Sequence, residues 1–353
     1  MIKRYPESKN KSLRAWSSAD EYLANYLAEN ELKNNYISVY NDTFGYLSVN
    51  LFSEKLQVIC NLKSQEKAIY QNLQNNNLAI QKLHFTNPLE KLNTKTEVGV
   101  LKIPKSLDLF ELYLNHFTKN AIENATLICG FMTRNFTKQI IGIASDYFEE
   151  VEQSLAWKKS RLLVLSKIKK TEKKDLINTI SYKKDTFLQY FGVFSAKNID
   201  YASQFLLNNL QIPEEINIVL DLASGNGVLA KKVQEIIPNS SLHLVDDSFL
   251  AIESSKLNLK GKNIHFHHQN NLENLEKNTF DYVISNPPFH LEHEIDLSLP
   301  LGLFQEVERI LKPNGKFQLV ANRHLNYKTH LEKIFSMVKI DAENEKFIVY
   351  SCY

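Results

Sequence analysis

Apolar residues in the second half of the chain alternate between strand spacing and helical spacing. Ile216 to Leu222 is a short β-branched run, which predicts a strand buried on both faces. A glycine-containing turn follows, then Val228 to Ile237, apolar at helical period. Ser241 to Asp246 predicts a second strand and Ser248 to Asn258 a second helix. Further strands are expected at Ile264–His268, Phe280–Ser285, Lys316–Ala321 and Lys346–Cys352, and helices at Leu301–Leu311 and Lys328–Phe335. Lys312-Pro313-Asn314-Gly315 should stop the helix before it. Such alternation predicts a parallel, doubly wound α/β sheet.

The first half repeats this plan faintly. Ile37 to Leu47 has the strand, turn, glycine and apolar order of Val219 to Leu229, and Gly99 to Lys105 echoes Tyr282 to Phe289. A helical period over Leu107–Phe117 then leads to Ala125–Cys129, matching Phe317–Ala321. Lys-Ile-Pro-Lys stands at 102–105 where the second copy has Asn-Pro-Pro-Phe. The expectation is two tandem Rossmann-like α/β domains, residues 1–172 a degenerate copy and residues 173–353 the active one.

A length of 353 residues suits two domains of roughly 150 to 200 residues each. With 42 Lys+Arg against 40 Asp+Glu the net charge is +2, so no global field draws in nucleic acid, and any RNA contact must rest on a local patch. The densest basic run holds Lys158, Lys159, Arg161, Lys167, Lys169, Lys170, Lys173, Lys174, Lys183 and Lys184. It is either a solvated linker face or a phosphate-contacting joint between the domains. Three dispersed cysteines argue against a disulfide framework or a Cys-based zinc site and fit a reduced cytoplasm. No segment approaches the length and apolarity of a membrane span, and the N-terminus lacks the apolar stretch of a signal peptide.

Three constellations carry candidate chemistry. Asp221 precedes the turn Ala223-Ser224-Gly225-Asn226-Gly227, where a carboxylate would repel a pyrophosphate but would pair with a ligand's ammonium. Asp246, about 20 residues beyond the turn, can accept both hydroxyls of a ribose; Asp247 or Ser248 would cap the next helix. Asn286-Pro287-Pro288-Phe289 follows a strand directly. Two prolines remove two donors and leave carbonyl acceptors, the amide adds another, and together they can hold the N–H groups of a planar exocyclic amine. Phe289 can stack on the ring that bears it. His265, His267 and His268 lack partners at ligand spacing, and His290 and His293 flank Glu292 in a loop whose chemistry needs no metal, so none is expected. Gly192 to Ser195 either folds over the cofactor or is a helix entry capped by Ser195.

These residues resemble the class I S-adenosylmethionine-dependent methyltransferases that modify an amino or amide nitrogen. Further segments resemble the ribosomal RNA large subunit methyltransferase G family, guanine-N2 methyltransferases of 23S rRNA: Arg4-Tyr5-Pro6, Ala15-Trp16 through Leu23, Asn41-Asp42 with Phe44-Gly45, Lys102 to Lys105, Leu155 to Lys159, and Val320 to Leu325 with Tyr327. The resemblance implies two methyltransferase-like domains, only the C-terminal one active. It implies that Asp221, Ala223, Gly225 and Gly227 hold the methionine end of the cofactor, Asp246 its ribose, and Asn271 the adenine side. It assigns catalysis to Asn286, Pro287, Pro288 and Phe289. The family has Gly at the position of Ala223, where a Cβ could crowd the cofactor, and usually Cys at Ser224. Candidate RNA contacts are Lys158, Lys159, Arg161, Lys169 and Lys170, with Arg323 from the last motif. The expected partner is 23S rRNA or a large-subunit assembly intermediate, in the cytoplasm. The alternatives are the 16S rRNA guanine, an adenine N6, a glutamine amide, or an RNA-binding relative without activity.

Overall fold

Each half of the chain builds a seven-stranded sheet, and the two sheets share one topology. The computed structural model describes all residues except 8–11, 171–173, 214 and 288–297. It divides into two units, Met1–Leu176 and Ile177–Tyr353. In the first, β1 (Ile37–Tyr40), β2 (Leu56–Ile59), β3 (His84–Thr86), β4 (Thr96–Lys102), β5 (Ala121–Met132), β6 (Phe148–Gln153) and β7 (Ser160–Ile168) are ordered β3-β2-β1-β4-β5-β7-β6. The second opens with a hairpin, β8 (Ile177–Tyr182) and β9 (Asp185–Tyr190). Its sheet comprises β10 (Ile218–Leu222), β11 (Ser241–Asp246), β12 (Ile264–His268), β13 (Phe280–Ser285), β14 (Leu311–Asn322), β15 (Val338–Glu343) and β16 (Phe347–Cys352), ordered β12-β11-β10-β13-β14-β16-β15.

In both sheets the first five strands are parallel and the last two antiparallel. β1 and β2 are buried at every position, as helices on both faces of a parallel sheet require. In the C-terminal unit one face packs Leu220, Val283, Phe317 and Leu319 against Phe304 and Val307 of the helix Ser298–Ile310. The other packs Val219, Leu244, Tyr282 and Ile284 against Leu206 and Val233.

Departures from the expected elements concentrate at sheet edges and in short connections. β15 was not anticipated: it is half or fully exposed along its length and carries charges at Lys339, Asp341 and Glu343, so no apolar run marks it. The β8–β9 hairpin was missed for the same reason, with only Ile180, Phe187 and Gln189 buried. Lys328–Phe335 is helical only over Lys328–Leu331. The helix after β11 is capped by Ser248, whose hydroxyl accepts from the Ala251 N–H. No helix among the described residues is long and apolar enough to cross a membrane.

Candidate active site

The carboxyl ends of β11, β10 and β13 lie side by side. Strand order reverses between β10 and β13, the switch point at which a doubly wound sheet opens a ligand crevice. The turn after β10 is built from left-handed residues: Ala223 has φ 59°, Gly225 φ 55° and Gly227 φ 81°. Gly227 starts the helix Val228–Ile236, and a Cβ there would come within 2.8 Å of Leu259 Cδ1, so packing as well as φ requires glycine. A Cβ on Gly225 would meet open space, so glycine there leaves room for something outside the fold. Ala223 holds its left-handed backbone at a strain of roughly 1 kcal/mol, which a glycine at this position would not carry.

Asp221 is buried, and its Oδ2 accepts the Ala230 N–H at 2.9 Å. Its Oδ1 is buried with no donor among the described residues. Burial pushes this carboxyl up to about 7, the Ala230 bond only partly opposing it and the charge of Asp246 adding to it. Asp246 ends β11; its Oδ2 accepts from Gly225 N–H at 2.9 Å and its Oδ1 from Ser248 N–H at 2.8 Å. Its pKa is raised to about 6, again chiefly by burial. The Asp246 carboxylate therefore holds the glycine turn in place, and its remaining lone pairs can receive hydroxyls.

Asn286 follows β13 and donates from Nδ2 to Asp200 Oδ2 at 3.0 Å and to Ser203 Oγ at 2.9 Å. Asp200 caps the helix Tyr201–Asn208 through the N–H groups of Ala202 and Ser203. The same Asp200 Oδ2 accepts from those two N–H groups, so it fixes which way the amide faces and leaves Oδ1 of Asn286 as the acceptor. That Oδ1 is buried and has no donor among the described residues. Pro287 is buried beside it. Pro288 and Phe289, with His290, Glu292 and His293, lie outside the described residues.

Asp200 and Ser203 escaped the sequence reading, because 86 residues separate Asp200 from Asn286. Gln189 escaped as well: it is buried, accepts from Asn226 Nδ2 at 2.9 Å, and donates to the carbonyls of Val193 and Phe194. It ties the Gly192–Ser195 segment to the glycine turn. Ser195 is not the helix cap; its hydroxyl donates to the Asn198 carbonyl, and Asp200 caps. Asn271 is half-buried just past β12, whose His268 pairs in register with Asp246.

The basic candidates do not form one run in space. Lys158 and Lys159 are the two left-handed residues at the tip of a tight turn between Trp157 and Ser160. Lys158 also pairs with Glu21 at 3.4 Å and lies over the Trp157 ring. Arg161 is on β7, and exposed Lys169 and Lys170 follow its far end, roughly 30 Å away for nine extended residues. Arg323 is held by Glu343 at 2.9 Å. His265 and His267 share a face with His243; rings of His243 and His265 stack at 4.4 Å, and His243 Nδ1 lies 3.1 Å from His267 Nε2. Among the described residues no group of three or more His, Cys, Asp or Glu could hold a metal ion.

Strand registers align the two units residue by residue. Tyr40 pairs with Ile59 and Leu101, as Leu222 pairs with Val245 and Ser285. Val39, Cys60 and Lys102 thus occupy the places of Asp221, Asp246 and Asn286. The turn backbone is kept, with Asn41 at φ 57° and Gly45 at φ 86°, but Thr43 replaces Gly225. Asp42, in place of Ser224, is buried with both oxygens satisfied by Gly45 and Ser48. Lys102 is paired to buried Asp20 at 3.0 Å. At these N-terminal positions the charged side chains, Asp42 and Lys102, are satisfied by partners within the unit.

Family models match both units: "RLMG N-terminal domain" over residues 1–172 and "Methyltransferase small domain" over residues 184–351. The chain is 30% identical to the ribosomal RNA large subunit methyltransferase G of Vibrio parahaemolyticus over 99% of its length and 93% of that protein. It is 29% identical to the protein of that name from Psychromonas ingrahamii over 99% of its length and 95% of the other. The fold is similar to a T. thermophilus 16S rRNA N2 methyltransferase solved with AdoMet and guanosine, with TM-score 0.78, 20% identity, and coverage of 95% of this chain and 91% of that one.

The protonation of Asp221 sets a testable pH dependence. Its folded-state pKa lies above the unfolded value of about 4, so the unliganded fold gains stability from this proton below that pH and loses it as pH rises through about 7. A cationic ligand group reverses the preference. S-adenosylmethionine, the ligand the resemblance implies, should therefore bind more tightly and release a proton as pH rises from about 5.5 to about 8. Asp221→Asn keeps the Ala230 bond; it should weaken binding roughly 10- to 150-fold and flatten the profile. Calorimetry should give one site per chain; two sites, or an unchanged profile in the variant, would contradict the assignment.

Proposed function

The chain belongs to the ribosomal RNA large subunit methyltransferase G family, and from that premise we propose that its C-terminal unit methylates the exocyclic N2 amine of a guanosine in 23S rRNA. The protein is an S-adenosylmethionine-dependent rRNA methyltransferase. We assign the substrate to 23S rRNA, free or in a large-subunit assembly intermediate, and the work to the cytoplasm.

The observation that carries the reading is the Oδ1 of Asn286, buried and without a donor among the described residues. A buried acceptor without a donor costs roughly 1–3 kcal/mol, and the fold tolerates it where a substrate supplies the N–H. The N2 amine of guanine does so. The residues also fit the cofactor: Asp221 Oδ1 suits an ammonium, Gly225 leaves the turn open, and Asp246 keeps lone pairs for a ribose. When bound, S-adenosylmethionine supplies an electrophilic sulfonium methyl.

Asn286 and the proline carbonyl beside it then act on the nucleophile. An aromatic amine shares its lone pair with the ring; hydrogen bonds from both its N–H groups to fixed acceptors draw it toward pyramidal geometry and free that lone pair. The acceptors also strengthen as positive charge grows on nitrogen, so they stabilise the transition state more than the ground state. No strong base is required, because the proton becomes acidic once the methyl has transferred. Asp200 and Ser203 position the amide. Phe289 and Pro288 complete the proposed base site.

Asn286→Ala should lower turnover of 23S rRNA methylation by about 100-fold or more while changing S-adenosylhomocysteine affinity only a few-fold. Methylation at the wild-type rate would remove Asn286 from catalysis. For RNA capture we propose phosphate contacts at the two ends of β7, through Lys158 and Lys159 and through Lys169 and Lys170, on a unit kept as an RNA-holding surface. Replacing either pair by Gln should reduce the slope of log affinity against log salt by roughly 1.4. Wild-type slopes in both double variants would make the run a solvated surface.

A further inference from the structure

The helix Tyr201–Asn208 has two different faces, and only one serves the catalytic amide. Ala202, Ser203 and Leu206 are buried, with Ser203 bonded to Asn286. Tyr201, Gln204, Phe205 and Asn208, spaced i, i+3, i+4 and i+7, form the outer face. There they line a pocket of about 370 Å³ with Asn344, Lys346 and Phe347 of the β15–β16 turn. An outward helical stripe of this spacing is normally charged, yet here Tyr201 is 72% exposed.

The lining has the chemistry of a nucleobase site. The Phe205 and Phe347 rings lie 6.2 Å apart, and Tyr201 adds a third aromatic surface. Gln204 uses its Nε2 on the Ile199 carbonyl, which leaves its oxygen as an acceptor. Asn344 accepts with Oδ1 from the Lys346 and Phe347 N–H groups, and Asn208 with Oδ1 from Lys183 at 2.8 Å, which leaves both NH₂ groups as donors. Donors and acceptors beside aromatic faces match the edges and faces of an unpaired base. Lys183 and Lys346 add positive charge for the phosphates on either side. Asp200, which caps this helix and holds Asn286, is the residue next to Tyr201.

We propose that this pocket binds a second, unpaired nucleobase of the rRNA substrate, so that one rigid helix registers both the target guanosine and another nucleotide of the same RNA. This rests on the reading of 23S rRNA as substrate. A peptide of a ribosomal protein is disfavoured by the amide set and the two lysines.

The test is the anisotropy of a labelled 23S rRNA fragment titrated with protein saturated in S-adenosylhomocysteine. Tyr201→Ala should weaken RNA binding roughly 5- to 150-fold, Tyr201→Phe should keep near-wild-type affinity, and cofactor affinity should be that of wild type in both. Lys346→Gln should lower the salt slope by about 0.7. Wild-type RNA affinity in Tyr201→Ala, with the wild-type protein active on 23S rRNA, overturns the pocket and leaves the proposed function standing. Unchanged affinity for the fragment but reduced methylation of assembled particles would mean a protein occupant, and also overturns it. Failure of the wild type to bind or methylate 23S rRNA would sink the function and the pocket together.

Discussion

A buried oxygen that no N–H or O–H reaches is expensive, and among the described residues two such oxygens of the C-terminal unit lie at the ends of the adjacent strands β10 and β13. Asp221 Oδ1 and Asn286 Oδ1 both belong to side chains whose other polar atom is firmly bonded, to Ala230 in one case and to Asp200 and Ser203 in the other. The bonded half fixes the side chain, and the open half is available for a ligand. The rest of the site follows from holding these atoms still. Asp246 holds Gly225, Gln189 holds Asn226, and the Asp200-capped helix holds the Asn286 amide. Burial lifts the two carboxyls, Asp221 and Asp246, to about 7 and about 6.

The N-terminal unit shows what the same fold does without that expense. Its sheet order is that of its partner and its turn repeats the left-handed residues, yet the positions that match Asp221, Asp246 and Asn286 carry no open carboxylate or amide oxygen. Val39 removes the first carboxylate, Cys60 the second, and Lys102 converts the amide position into an ion pair with Asp20. Asp42 returns a carboxylate to the turn but spends both oxygens on Gly45 and Ser48. The two units therefore share a backbone topology and differ in side-chain chemistry at a handful of positions.

Much of this was legible from residues because parallel strands are apolar throughout and their ends are punctuated by glycine, aspartate and proline. The strands at Ser241–Asp246, Ile264–His268 and Phe280–Ser285 begin and end where the pattern puts them. The edge strand Val338–Glu343 and the hairpin Ile177–Tyr190 carry no such mark, being half exposed and rich in polar residues. The supports of the site were hidden for a different reason. Asp200, Ser203 and Gln189 look like ordinary capping and strand residues, and only the fold brings them to Asn286 and Asn226. Of the basic run, Lys158 and Lys159 precede one extended strand and Lys169 and Lys170 follow it, a separation that the sequence alone does not show.

The most direct test of the central claim is to map N2-methylguanosine in rRNA by mass spectrometry, using cells that lack the gene and carry either the wild-type chain or Asn286→Ala. Loss of one modified guanosine from 23S rRNA, restored by the wild type and not by the variant, is the predicted result. A complete set of 23S modifications without the gene, or restoration by Asn286→Ala, would contradict it.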